Sequence, residues 1–333
     1  MEIKFREKAF MMWKCNISTM KGLETIYIIG AGAIGKALAV FLTHQGKDVI
    51  LLRGSTDYIP AYLEDITIEL SGKRSIRETI RVSSISNFGV LTGLVVLTSK
   101  SFGNIRLAAL LKEKVPVSPI VILQNGLEQP FVDQGFLQIY RCVLFATSQP
   151  GSKDSFRFKP VSASPIGIIK GDATALNDIV QKLNTTRFEF RTEFNIQPLI
   201  WTKAILNSIF NSVCPLLETD NGIFHREPAA LNIAKRVIAE CLPIAECRGI
   251  FLNATAVLNT LLQISKSSDG QLISTYQDIR HKKRTEIETL NFAITRTAKE
   301  FDKYDGIKET RLLGELVYLK AQLALNGTSK RVV

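Results

Sequence analysis

Three groups of residues carry chemical potential. The first is Gly30-Ala31-Gly32-Ala33-Ile34-Gly35, which follows the β-rich run Ile26-Tyr27-Ile28-Ile29 and opens a helical stretch to about Gln45. Strand, glycine turn and helix in that order are the context in which G-x-G-x-x-G binds a dinucleotide. There Gly30 permits the tight turn, Gly32 lets the backbone approach a pyrophosphate, and Gly35 lets helix and strand pack closely. The helix N-terminus adds N–H groups and a positive dipole, so Ala31, Ala33 and Ile34 count as cofactor-binding positions with the glycines. The next strand, Asp48-Val49-Ile50-Leu51-Leu52, ends on Arg53, Gly54, Ser55 and Thr56, where an NAD-binding chain places an acidic residue for the ribose 2′-hydroxyl. A guanidinium pairs instead with a 2′-phosphate and stacks on adenine, with Ser55 and Thr56 able to add bonds, so NADPH (NADP+) is the expected cofactor. Lys100 and Asn125, the latter within Gln124-Asn125-Gly126, stand where later strands should end, the edge at which open sheets bind ligands. Lys100 suits cofactor charge. Asn125 suits the nicotinamide or a substrate carbonyl, although Asn-Gly reads equally as a plain turn.

The second group is Lys203, Asn207 and Asn211, four apart on a segment otherwise largely apolar. That spacing puts them on one helical stripe. Two asparagines inside a helix cost propensity, and a lysine among apolar neighbours is desolvated, which lowers its pKa toward the range useful for donating a proton. A solvated helix face shows the same pattern. The third group runs from Ser274 through Asp278 to Glu286. Their spacings of four and eight predict a shared helical face, with residues 280–284, Arg-His-Lys-Lys-Arg, as a charged face between two acids.

Apolar runs at residues 93–97, 120–123 and 143–146 continue the strand pattern, so an α/β sheet, mostly parallel, is expected to hold the first group. The texture changes around residues 187–196, after which apolar residues recur at helical spacing. The expected organisation is a basic N-terminal extension over residues 1–24, a Rossmann-type dinucleotide-binding domain over 25–196, a helical substrate-binding domain over 197–326, and a tail at 327–333. A cleft between two such domains is the default ligand site.

The chain has 333 residues, 42 Lys+Arg against 31 Asp+Glu for a net charge of +11, and 46% hydrophobic residues. Those values exclude wholesale disorder and fibrous classes and allow two cores. No apolar run approaches the ~20 residues of a membrane span. Five scattered cysteines and three histidines form no CxxC or HExxH pattern, so no metal site or disulfide framework is expected and the cytoplasm is the expected location. The residues 280–284 stand without any nucleic-acid-binding module, so no nucleic-acid partner is expected. A non-catalytic NADPH-binding regulator that uses the positive charge is the competing class.

The combination of Gly30-x-Gly32-x-x-Gly35, Arg53, Lys100, Gln124-Asn125-Gly126, Lys203-x-x-x-Asn207-x-x-x-Asn211, Asn221-Gly222, and Ser274-x-x-x-Asp278 followed by Arg284-Thr285-Glu286-Ile287 resembles the ketopantoate reductase family. The resemblance covers about residues 26–325. It implies an N-terminal Rossmann domain joined to an all-helical domain of the 6-phosphogluconate dehydrogenase C-terminal-like kind, in a monomer or homodimer. It further implies that NADPH reduces a small 2-oxo acid, with Lys203 as the general acid and Glu286 holding the substrate hydroxyl and contacting the cofactor. Asn207, Asn211, Asn221 and Ser274 correspond to substrate-binding positions, and Arg53, Lys100 and Asn125 to cofactor-binding ones; Asp278 has a supporting place. Two features depart from the family pattern: bulky Cys142, Val143, Leu144 and Phe145 stand where small residues are common, and Gln271 stands where asparagine is frequent. Both bear on which 2-oxo acid fits.

Overall fold

The structure, a computed structural model, describes residues 25–54, 58–127, 130–151 and 155–327. The N-terminal extension, Ser55 and Thr56 lie outside the described residues. The chain folds as two compact units, one running to Gln124 and resuming over Pro130–Phe194, the other comprising Asn125–Gln129 and everything from Asn195.

The first unit is built on β1 (Thr25–Ile29), α1 (Ala33–His44), β2 (Val49–Arg53), β3 (Tyr62–Glu69), β4 (Ser75–Ser84) and β5 (Gly93–Leu97). It continues through α2 (Asn104–Leu111), β6 (Ile120–Ile122), α3 (Pro130–Asp133), β7 (Ile139–Cys142), β8 (Ala146–Pro150), β9 (Ser155–Pro160), β10 (Ser164–Lys170), α4 (Ala175–Leu183) and β11 (Phe190–Thr192). These strands form one mixed sheet in the order β11-β10-β7-β6-β5-β1-β2-β4-β3-β9-β8. Its centre is parallel: β1 pairs β2 and β5, β2 pairs β4, β5 pairs β6 and β6 pairs β7. Counted along the chain, those six strands lie 3-2-1-4-5-6, the order of dinucleotide-binding sheets, and the order reverses between β1 and β5. Alternate residues of β1 enter opposite cores. Ile26 and Ile28 pack with Leu38 and Phe41 of α1, whereas Tyr27 and Ile29 pack with Leu107 and Leu111 of α2. Burial on both faces is why these strands read as continuous apolar runs.

Around this centre the sheet departs from the sequence reading. Of residues 143–146, expected as a strand, only Ala146 lies in one, at the start of β8, and residues 143–145 span the break between β7 and β8. Phe145 N–H donates to Ser164 Oγ at 2.9 Å, and its carbonyl accepts from Val161 N–H at 2.9 Å, so these backbone groups bond outside any ladder. The antiparallel β3–β4 hairpin, with Tyr62 opposite Val82 and Glu69 opposite Ser75, replaces a helical crossover. Its strands alternate polar and apolar residues because one face meets solvent.

The second unit has helices α5 (Gln197–Leu216), α6 (Ile223–Arg226), α7 (Pro228–Cys247), α8 (Ala254–Ser267), α9 (Ser274–Arg280), α10 (Asn291–Glu300) and α11 (Lys308–Asn326), with no strand among its described residues. Pro198 opens α5, where a missing N–H costs nothing. This helix is the hub: it packs on α7, α9 and α11, and Trp201, Ile205, Ile209 and Phe210 enter a core shared with Val237, Cys241 and Leu261. The Phe210 ring meets Phe224 edge-on at 4.8 Å. At the start of α11, the Glu240 carboxylate accepts from Glu309 N–H and Thr310 N–H, each at 2.8 Å, supplying a cap that α11 lacks in its own sequence.

Candidate functional site

At the point where the strand order reverses, the glycine loop is held from several sides. Gly30 adopts φ +125°, its N–H donates to Leu52 O at 2.9 Å, and its carbonyl accepts from Thr98 Oγ1 at 2.9 Å. A Cβ on Gly30 would lie 2.3 Å from Ser99 N, and one on Gly35 would lie 2.0 Å from Gly30 O. Both positions admit only glycine. A Cβ on Gly32 would meet nothing within 4 Å. Gly32 is exposed and caps α1 without a side chain, and the first turn of α1 has no acidic residue. The three glycines therefore divide as turn, open approach and close packing, and the free space at Gly32 beside a helix N-terminus fits a pyrophosphate. Ala31, Ala33 and Ile34 are half-buried in the same loop, and Ser148 Oγ fixes it further by donating to Ala33 O at 3.0 Å.

Arg53 ends β2 and is half-buried. Its Nη1 donates to Tyr62 Oη at 3.2 Å, and Tyr62 Oη donates to Glu64 Oε2 at 3.5 Å. Lys36 Nζ reaches the other Glu64 oxygen at 2.5 Å and stands 4.9 Å over the Phe156 ring. The guanidinium thus has one hydroxyl partner and retains donors for an anion, while Lys36 offsets the neighbouring carboxylate. Lys100 is exposed after β5. Between the β5 and β6 ends, Gln124 and Asn104 exchange two amide hydrogen bonds of 2.8 Å, and Gln124 Nε2 also donates to Ser99 Oγ at 3.0 Å. Tyr62, Thr98, Ser99 and Asn104 carry no sequence signal; only Gln124 stands inside a motif.

In the helical unit the polar stripe faces inward. Lys203 and Asn207 are half-buried and Asn211 is 3% exposed, so the stripe is not a solvated face. Asn211 Nδ2 donates to Asn207 O at 3.0 Å, and Asn211 Oδ1 accepts from Ser274 Oγ and Thr275 N–H, each at 3.3 Å. One asparagine thereby joins α5 to the start of α9 and brings Ser274 to the stripe. Ser274 and Asp278 share α9, but Glu286 does not: the helix ends at Arg280, and Glu286 precedes a 3-10 turn at Ile287–Thr289. Residues 280–284 are accordingly an exposed helix end and loop rather than a helix face, with Lys282 at φ +53° breaking the helical path. Glu286 is itself buried, 7% exposed, and its carbonyl accepts from Thr289 N–H and Oγ1, both at 3.0 Å.

Asn125 joins this unit through Thr289. Leu127 N–H donates to Thr289 O at 3.3 Å, and Gly126, at φ +102°, passes so close that a Cβ would stand 2.8 Å from the same oxygen. The Asn-Gly pair is therefore a turn that also places Asn125 beside the Glu286 segment. Asn221 is held by its backbone, with N–H to Gln271 O at 3.0 Å and its carbonyl accepting from Ser265 Oγ at 2.8 Å. Its side-chain Oδ1 is buried and has no hydrogen-bond donor among the described residues. Next to it, burial opposes ionisation of Asp220, but bonds from Arg226 and from the Gly222 and Gly270 N–H groups outweigh it and hold the carboxyl below its usual range. Burial, followed by the Asp220 charge, pushes the Cys214 thiol up to about 12. Among the described residues no group of three or more His, Cys, Asp or Glu could hold a metal ion, and no helix is long and apolar enough to cross a membrane.

Comparison with known proteins accounts for both units. Residues 26–157 match the family model described as ketopantoate reductase PanE/ApbA, and residues 195–303 match its C-terminal counterpart. A 2-dehydropantoate 2-reductase of Pyrococcus horikoshii is 29% identical over 310 residues, covering 92% of this chain and 99% of the relative. One from Streptococcus pyogenes serotype M1 is 23% identical over 308 residues, covering 89% and 97%. Among solved structures, a dimeric ketopantoate reductase from Staphylococcus aureus superposes with a TM-score of 0.74 at 19% identity, covering 90% of this chain and 99% of that one. D-mandelate dehydrogenase in complex with NADH and anilino(oxo)acetate superposes with a TM-score of 0.77 at 20% identity, covering 91% and 100%. With sequence models matching both of its units and the strand order, glycine loop and helical stripe in place, the chain belongs to the ketopantoate reductase family.

Proposed function

We propose that this chain is an NADPH-dependent reductase converting 2-dehydropantoate (ketopantoate) to (R)-pantoate, a step of pantothenate and coenzyme A synthesis. The observation that carries the reading is the inward-facing stripe of Lys203, Asn207 and Asn211 on the hub helix of a chain in this family. The Asn211 bonds to Ser274 and Thr275 draw the start of α9 onto that stripe, so a cation, amides and a hydroxyl stand together as the donors and acceptors that a polar 2-oxo acid would engage. Asn221 Oδ1, buried without a donor among the described residues, is the acceptor that a substrate hydroxyl would satisfy.

In this reading Lys203 donates a proton to the oxygen of the 2-oxo group, and its charge stabilises that oxygen as negative charge develops. Glu286 accepts from the substrate hydroxyl and contacts the cofactor. Asn207, Asn211, Asn221 and Ser274 orient the substrate. The loop from Gly30 to Gly35, Arg53, Lys100 and Asn125 hold the dinucleotide, which when bound supplies the hydride. Arg53 favours NADPH because its donors match a 2′-phosphate better than a hydroxyl. We place the enzyme in the cytoplasm, as a monomer or homodimer; its free cysteines suit reducing conditions.

A second reading, reduction of a different 2-oxo acid, is favoured by Gln271. Its carbonyl is the acceptor that fixes Asn221, so a longer side chain than asparagine stands beside a substrate-binding position. Steady-state oxidation of NADPH and of NADH across a panel of 2-oxo acids separates the two. Ketopantoate should show the highest kcat/KM, and Arg53→Gln should lower the NADPH value at least tenfold while leaving NADH nearly unchanged. A higher kcat/KM for another acid would transfer the assignment to that acid, and an unchanged NADPH preference in Arg53→Gln would remove Arg53 from cofactor selection.

A further inference from the structure

The curled sheet of the first unit leaves a cavity where its two ends approach. Strands β9 and β10 stand second from opposite ends of the sheet order, yet only residues 161–163 separate them in sequence. That short link brings the β8–β9 end beside the segment leading into β11. The Phe158 and Phe188 rings meet there at 4.8 Å, and Phe188 stacks on Phe190 at 4.7 Å. Between the ends lies a cavity of about 280 Å³, lined by Phe158 and Phe188 and rimmed by Arg74, Arg187 and Glu189. At ~30 Å³ per water this is the space of roughly nine waters, near the lower bound for small-ligand sites.

Its charges distinguish it. Among the described residues, Arg74 and Arg187 are the two arginines whose side chains have no hydrogen bond, ion pair or ring contact, and both line this one cavity. Other arginines have carboxylate, ring or hydroxyl partners, as in Arg77 with Asp65, Arg248 with Phe301 and Arg53 with Tyr62. Glu189, in the same wall, pairs with neither, so the rim carries two positive charges against one negative. Two uncommitted guanidinium forks above a floor of buried aromatic rings match a planar anion on an apolar body. None of the lining residues belongs to the glycine loop, the Arg53 chain or the helical stripe.

We propose that this cavity is a second ligand site, which takes a small carboxylate with an aromatic or branched apolar body. The carboxylate is gripped by Arg74 and Arg187, and the body lies on Phe158 and Phe188.

The test is calorimetric titration of phenylacetate into the full-length protein, into Lys203→Ala and into Arg74→Gln/Arg187→Gln. Both arginines are exposed, so the double variant should fold, which a far-UV circular dichroism melt checks. Wild type and Lys203→Ala should bind equally, and the double variant at least tenfold more weakly. Uncharged phenylacetamide should bind wild type at least tenfold more weakly than phenylacetate, a comparison that holds even if the double variant misfolds. The proposal is overturned by equal binding of acid and amide, by unchanged binding in a folded double variant, or by binding lost in Lys203→Ala, which would put the anion among the stripe residues. Absence of saturation in wild type by about 10 mM would also overturn it.

Discussion

Gly32 and Gly35 stand three residues apart in one motif, yet the same mutation should injure different properties at the two positions. In Gly35→Ala the new methyl would sit 2.0 Å from Gly30 O and 2.5 Å from Thr98 Oγ1, an ångström or more inside the ~3.5 Å of ordinary contact. Gly30 cannot yield easily because Leu52 O and Thr98 Oγ1 hold its own polar groups. The cost should reach about 3 kcal/mol, the upper range for overpacking, or roughly 6 to 12 °C in Tm for a unit of this size. In Gly32→Ala the backbone, at φ −80° and ψ −179°, is extended and suits alanine, and the methyl meets nothing within 4 Å. Stability should change by no more than about 0.5 kcal/mol. The methyl occupies the space kept for the pyrophosphate, however, so at least one charge-assisted hydrogen bond worth about 1.5 to 3 kcal/mol is lost, and NADPH should bind roughly ten- to a hundredfold more weakly. Ligand-free thermal melts and a fluorescence titration with NADPH measure the two effects separately. Wild-type NADPH affinity in Gly32→Ala would refute the cradle, and wild-type Tm in Gly35→Ala would refute the packing argument.

Three further outcomes follow from local chemistry. Glu240→Ala should cost about 2 kcal/mol of stability, read as a lower Tm, because the Glu309 and Thr310 N–H groups lose the carboxylate that caps α11. Asp220 has a folded-state pKa below its ordinary value of 3.8, so its contribution is present above that value and lost as pH falls through the lower folded one. Wild type should therefore lose more stability than Asp220→Asn when melts are compared from pH 5 down to pH 3, and equal slopes would remove the Arg226 bond from the account. Burial pushes the Cys214 and Cys241 thiols up to about 12, whereas Cys247 is only half-buried. Mass-spectrometric mapping of a thiol reagent at neutral pH should thus find Cys247 labelled long before the other two, and early labelling of Cys241 would contradict its packing.

The parts of this fold that are legible in sequence are those written in short range. The glycine loop follows from one hexapeptide, because Gly30 and Gly35 answer local steric demands and Gly32 keeps open approach between them, at a spacing the sequence records. The buried parallel strands follow from continuous apolar runs, and the hub helix from apolar periodicity. The inward direction of its polar stripe is not legible, since 3.6-residue spacing sets a stripe without saying what it faces. Only Thr275 and Ser274, more than sixty residues away, show where Asn211 points. The same limit misplaces Glu286: a spacing of eight from Asp278 fits a helix, but Lys282 at positive φ ends it in between. Residues 143–145 look like a strand because they are apolar, although their apolarity serves packing beside a break in the sheet. Tyr62, Ser99 and Asn104, which hold Arg53 and the loops after β5 and β6, have no motif at all, since their roles arise from pairings 9 to 25 residues apart.

In the proposed reaction Lys203 protonates the 2-oxo group of ketopantoate as it is reduced. Its most direct measurement is kcat/KM for ketopantoate with NADPH in wild type and in Lys203→Ala, with NADPH affinity measured alongside. Wild type should turn over efficiently, and the variant should lose about 10² to 10⁴ in kcat/KM with nearly unchanged NADPH affinity. A variant that turns over as fast as wild type, or a wild type that binds NADPH yet does not reduce ketopantoate, would contradict it.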